Sequence, residues 1–103
     1  MSKYHARKTT VDGITFASAK EANRYSQLKL LQRAGVISSL QIQVPYTLIE
    51  KSQYGRKITY VADFVYRENG KKVVEDTKGF KTPVYALKRR LMAEIYGIEI
   101  KET

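Results

Sequence analysis

The sequence contains no cysteine and a single histidine, His5. Without thiols there can be neither a disulfide framework nor a thiolate zinc site, and a lone imidazole cannot build a histidine-rich metal cluster. Any metal must be held mainly by oxygen. No apolar run approaches the roughly 20 residues that span a bilayer, and the amino-terminal MSKYHARKTT has no apolar signal-peptide core, so a cytoplasmic protein without a membrane partner is expected. Repeats, low-complexity tracts and Pro/Ser-rich linkers are also missing. A chain of 103 residues has room for one core and one site, so a single domain over residues 1–103 is expected.

Negative charge is scarce as well. Ten Asp and Glu stand against 19 Lys and Arg, a formal net charge of +9. On a small domain such an excess favours a polyanionic partner, nucleic acid before a membrane surface. Ribosomal proteins, DNA-binding modules and nucleases would all carry it, so the informative question is where the few acids sit.

Residues 1–15 read as a basic arm or hairpin: Tyr4, Arg7 and Lys8 precede Asp12-Gly13, which can close a small turn between Val11 and Ile14. A helix is expected after Ser18, running to about Ala34 and ended by Gly35. An extended segment follows in which Leu40, Ile42 and Val44 alternate with polar residues and Pro45 marks an edge or bulge. The stretch from Ile58 to Tyr66, ITYVADFVY, reads as a buried strand interrupted by Asp63. KVVEDTK is the next strand. Thr82 and Pro83 supply an N-cap and a first-turn proline for a helix ending at Gly97, with Val84, Leu87, Leu91 and Ile95 as its apolar stripe. A last short strand, IEIK, should return parallel to an earlier one through this crossover helix. The expected fold is α/β, in the order αβββαβ, with three strands in an antiparallel meander.

One turn fixes the register. Asn69-Gly70 is the strongest two-residue hairpin signal, and it makes Glu68 face Lys71, Val65 face Val74 and Asp63 face Asp76. By alternation Lys78 shares the face of Asp76, and Glu75 points to the other. Like charges directly opposed in a ladder are destabilising. At about 5 Å and an effective dielectric of about 20 the repulsion is on the order of 3 kcal/mol. A shared proton, a neighbouring lysine or a divalent cation must offset it. Oxygen-only ligation suits Mg²⁺ or Mn²⁺, which use one or two carboxylates, waters and substrate phosphate oxygens. A one-residue slip or a bulge would instead send the two acids to different faces.

Glu21 is the third acid. It shares a helical stripe with Tyr25 and Leu28 and can point inward, but Ser18 and Glu21 also form an S-x-x-E capping box in which the glutamate only satisfies a backbone N–H. The local pattern leaves both readings open.

Glu21 on the first helix, Asp63 on one strand and Asp76-Thr77-Lys78 on the next, followed by helix and strand, resembles the PD-(D/E)XK nuclease superfamily. The wording FASAKEANRY, YVADFVY and VVEDTKGFKTPVYALKRRLM is similar to small phage and prophage proteins presumed to be endonucleases. Archaeal Holliday-junction resolvases share the same skeleton, and the resemblance covers roughly residues 14–101. It departs from the family name at Ala62, where proline would stand, which leaves the neighbouring acid undisturbed. The resemblance implies a restriction-endonuclease-like core with a mixed central sheet flanked by two helices. It also implies a Mg²⁺- or Mn²⁺-dependent DNA endonuclease that works as a homodimer, with branched or junction DNA among its candidate substrates. Asp63, Asp76 and the Thr77 carbonyl would bind the metal, Glu21 would complete the site directly or through water, and Lys78 would position or activate the attacking water.

Basic residues would hold the substrate. Arg24, one turn from Glu21, and the Arg7-Lys8 arm are the preferred phosphate contacts, with Lys81 and Lys88 as further ones; the Lys88-Arg89-Arg90 run can also be read as a solvated helix face. Tyr85 reads as core. Two other classes compete with the nuclease: a catalytically inactive nucleic-acid-binding module of the same fold, and a structural or assembly protein.

Overall fold

The structure is a computed structural model that describes residues 8–77 and 81–103. It opens on a hairpin of β1 (Thr9–Val11) and β2 (Ile14–Phe16), joined at Asp12 and Gly13, whose φ of 53° and 75° are the paired positive values of a tight hairpin turn. Helix α1 (Ala19–Arg33) starts at Ser18, whose Oγ accepts the backbone N–H of Glu21, and stops before Gly35, where φ is 81°. Then come β3 (Ile37–Ile49), β4 (Ile58–Glu68), β5 (Lys71–Asp76), α2 (Pro83–Tyr96) and β6 (Lys101–Glu102).

The four later strands form a mixed sheet in the order β3-β4-β5-β6, with β3, β4 and β5 antiparallel and β6 parallel to β5. This is the expected α/β architecture. Asn69 and Gly70 turn at φ of 53° and 75°, and the ladder they set pairs Glu68 with Lys71, Val65 with Val74 and Phe64 with Glu75. The final strand begins three residues later than IEIK implied. Gly97 adopts φ 66° and Ile98 donates its N–H back to the Met92 carbonyl, so the first of those residues is taken up in closing α2.

The helices cover opposite faces. Ala22, Tyr25 and Leu28 of α1 pack with Phe16, Ile37, Phe64 and Tyr66, while Tyr85 and Met92 of α2 pack with Leu48, Tyr60, Ala62, Val65, Val74 and Ile100. Two sequence expectations fail here. The first is most of the α2 stripe: Leu91 packs against the core as expected, but Val84, Leu87 and Ile95 are 63%, 57% and 49% exposed, and the buried side chains are Tyr85 and Met92. The helix is rolled so that Tyr85 reaches Glu102, to which its hydroxyl donates at 2.7 Å.

The second failure is strict alternation in β3 and β4. Tyr60 and Ala62 lie on the α2 side, yet Phe64 and Tyr66, of the same parity, lie on the α1 side. In β3, Val44 and Tyr46 join the α2 cluster whereas Leu40 and Ile42 join the α1 cluster. Both strands change face between the pairs Ile42↔Phe64 and Val44↔Ala62, where Gln43 adopts φ 52°. A left-handed residue in a strand locally breaks the pleat. Asp63 stands at that break. No helix among the described residues is long and apolar enough to cross a membrane.

Candidate active site

The β4–β5 ladder ends at Phe64↔Glu75, one pair short of the aspartates, and Asp63 and Asp76 meet just beyond it. Asp76, the last residue of β5, is buried, and Asp63 in β4 is half-buried. The backbone N–H of Thr77 donates to Asp63 Oδ2 at 2.9 Å, and the hydroxyl of Tyr60 donates to Asp76 Oδ2 at 2.5 Å. Burial above all, then the charges of Asp76 and Glu21 and a hydrogen bond with Asp76, push the Asp63 carboxyl up to about 7, against the opposing pull of the Thr77 N–H. Two carboxyl groups in one low-dielectric site share a proton unless a cation replaces it.

Glu21 points inward. Its backbone N–H serves the Ser18 cap, while its carboxylate Oε2 accepts from Gln43 Nε2 at 3.2 Å. Cap and carboxylate are therefore separate functions of one residue. The side chain lines a cavity with Gln43, Asp63 and residues 14–17. Asp63, at the change of face, lines this cavity and also a second one on the α2 side, with Tyr60, Asp76, Thr82, Tyr85 and Lys88. The three acids nevertheless do not close on one point: among the described residues no group of three or more His, Cys, Asp or Glu side chains is arranged to hold a metal ion. The donor set itself, carboxylates with hard oxygens, suits Mg²⁺ or Mn²⁺, and two of the three carboxylates are in contact.

The remaining site residues divide. Lys78 and Arg7 lie outside the described residues. Thr77 is described; its Oγ1 is 3.2 Å from Thr103 Oγ1, and Thr103 donates its N–H to the Asp76 carbonyl at 3.0 Å. Lys88 is half-buried in the α2-side cavity beside both aspartates. Lys81 is exposed and ion-paired to Glu102 at 2.8 Å. Lys8 is exposed beside β1. Arg24, expected to reach for phosphate, is committed elsewhere: its Nε and a terminal nitrogen grip the carboxylate of the fully buried Glu75 at 2.5 and 3.0 Å. Glu75 also accepts from the Tyr66 hydroxyl at 2.5 Å. This bidentate pair holds the α1 side of β5 directly behind Asp76.

Sequence reasoning missed Tyr60, Gln43 and the Arg24–Glu75 pair. Tyr60 is three positions before Asp63 and would face away from it in a regular strand, so only the break at Gln43 brings it to the acids. The Arg24–Glu75 contact leaves a signal in the sequence, since Arg24 follows Glu21 by one helical turn and strand alternation puts Glu75 on the other face of β5 from Asp76.

The family model described as "Protein of unknown function (DUF1064)" matches residues 1–103 of the chain. No curated protein matches it.

Proposed function

The chain belongs to the DUF1064 family, whose description assigns no activity, and from its site we propose that it is a metal-dependent DNA endonuclease of the PD-(D/E)XK type. The observation that carries this reading is the Asp63–Asp76 contact across β4 and β5, with Glu21 lining a cavity shared with Asp63. Two carboxyl groups that cannot both ionise cheaply are the kind of perturbed pair that functional sites hold, and the sheet end that carries them opens to a cavity bearing Lys88.

Asp63, Asp76 and the Thr77 carbonyl would hold Mg²⁺ or Mn²⁺, with Glu21 joining through water. Such an ion neutralises phosphate charge and stabilises the leaving 3′-oxygen. Lys78, next in sequence to Thr77, orients the attacking water and takes up charge on the non-bridging oxygens as the phosphorus–oxygen bond breaks. Lys88 binds a phosphate oxygen from the α2 side. The site needs no serine or histidine nucleophile. The exposed Val84, Leu87 and Ile95 on α2 supply an apolar face on which two copies could meet, in keeping with a homodimer.

The test is a cleavage panel of linear, nicked, flapped and four-way-junction DNA with Mg²⁺ or Mn²⁺. Wild type should cut at least one substrate and Asp76→Ala none; a wild type inert on all of them ends the reading. The open arrangement of the three acids favours a second reading, an inactive nucleic-acid-binding module. That reading predicts no carboxylate-dependent heat on titration with Mn²⁺ and DNA affinity unchanged by Asp63→Asn.

A further inference from the structure

The β3–β4 ladder continues past the rest of the sheet. β5 pairs with β4 only from Phe64 to Glu68, whereas β3 and β4 stay paired to Ile49↔Ile58 and meet again at Ser52↔Gly55. The tip is a two-residue turn, Gln53-Tyr54, closed by Ser52 N–H to the Gly55 carbonyl at 3.0 Å and Gly55 N–H to the Ser52 carbonyl at 3.3 Å. The Tyr54 N–H donates to Ser52 Oγ at 3.1 Å, which fixes the turn further. On this tip the Tyr54 side chain is 90% exposed, far more than any other large apolar residue described. Lys51, Arg56 and Lys57 around it are exposed, and among the described residues none of them is in an ion pair.

Neither the ring nor the three cations contributes to the core. An aromatic face held on a short turn, with little entropy left to lose and unpaired cations beside it, has the composition of a base-stacking platform. We propose that this hairpin tip is a nucleic-acid contact in which Tyr54 stacks on an unstacked base while Lys51, Arg56 and Lys57 meet the adjoining phosphates. Continuous duplex hides its base faces, so the tip selects single strands, flaps and junctions. Tyr54 is nine residues from Asp63. At about 3.3 Å per strand residue and about 3.4 Å per nucleotide, the break in stacking lies within about nine nucleotides of the aspartates. This last step rests on the nuclease reading; the binding step does not.

The test is fluorescence anisotropy in EDTA, where nothing is cut, with a labelled single strand and a labelled blunt duplex of equal length. Tyr54→Ala should weaken single-strand binding about five- to a hundredfold and leave duplex binding within about twofold, while Tyr54→Phe behaves as wild type. The triple variant Lys51→Gln, Arg56→Gln, Lys57→Gln should weaken both probes and reduce the duplex salt slope by roughly 3. Equal single-strand affinity for wild type and Tyr54→Ala overturns the tip contact and leaves the nuclease reading standing. A wild type that binds neither probe also overturns the tip contact, while the nuclease reading is decided separately by the cleavage panel with metal. Tight binding to an acidic protein partner with none to DNA would assign the tip to another class of ligand.

Discussion

The Tyr60 hydroxyl donates a hydrogen bond of 2.5 Å to Asp76 Oδ2 while both residues are buried, at 3% and 2% exposure. The phenol is held strongly in its protonated form by burial and by the Asp76 carboxylate, so it is a permanent donor. A hydrogen bond to a charged group is worth about 1.5–3 kcal/mol. Tyr60→Phe should therefore lower unfolding free energy by about that amount in urea titrations without metal. If Asp76 binds a metal, the variant should also need more Mn²⁺ for half-maximal binding, because the carboxylate loses the group that orients it.

The elevated Asp63 carboxyl, near 7, gives a pH prediction with a definite sign. The group binds a proton more tightly folded than unfolded. Its contribution is therefore fully present below the ordinary aspartate range and lost as pH rises toward 7. Metal-free wild type should lose stability between about pH 5 and pH 7.5. Glu102, held low by Lys81 and Tyr85, acts in the opposite direction, but its effect is complete at the acid end. Asp63→Asn should flatten the slope and exceed wild type in stability at pH 7.5 in EDTA. Thermal melts of the two proteins at both pH values check this.

Arg24 and Glu75 make a strong stability prediction. Glu75 is 0% exposed and its carboxylate rests on Arg24 and Tyr66. Removing one partner of a buried pair leaves an uncompensated charge and costs about 3–5 kcal/mol. Arg24→Ala should lose that amount in urea unfolding, a large share of the roughly 5–15 kcal/mol of a typical domain. The double variant Arg24→Met, Glu75→Gln should regain much of it.

Glu21 can be separated from its cap. The cap is the Glu21 backbone N–H on Ser18 Oγ, and the carboxylate faces Gln43 and the Asp63 cavity. Ser18→Ala should lower stability by about 1 kcal/mol and spare any cleavage activity. Glu21→Gln should leave the melting temperature almost unchanged and abolish cleavage. Equal effects of Glu21→Gln on both readouts would return the residue to a structural role.

Much of this architecture was legible because short-range rules decided it. Asn69-Gly70 set the β4–β5 register and so brought Asp63 to Asp76; Asp12-Gly13 closed the first hairpin; Ser18, Thr82 and Gly97 bounded the helices. What escaped was set at long range. The exposed Val84, Leu87 and Ile95 stripe has the pattern of a core face, but the long-range packing of Tyr85 and Met92 on the sheet, with Tyr85 bonded to Glu102, turns it outward. The change of face at Gln43 puts Ala62 and Phe64 on opposite sides of the sheet, which no alternation rule anticipates, and it is this break that admits Tyr60 to Asp76. In sequence Arg24 reads as a phosphate contact because its fully buried partner, Glu75, sits on a distant strand.

We propose the Asp63–Asp76 pair as the centre of a metal-dependent phosphodiester hydrolase. Cleavage of labelled linear and branched DNA by wild type and Asp76→Ala, purified side by side and assayed in Mg²⁺, Mn²⁺ and EDTA, tests it most directly. Wild type should give products in one or both metals and none in EDTA, and Asp76→Ala should give none under any condition. Equal cleavage by the two proteins, or none by wild type, would contradict it.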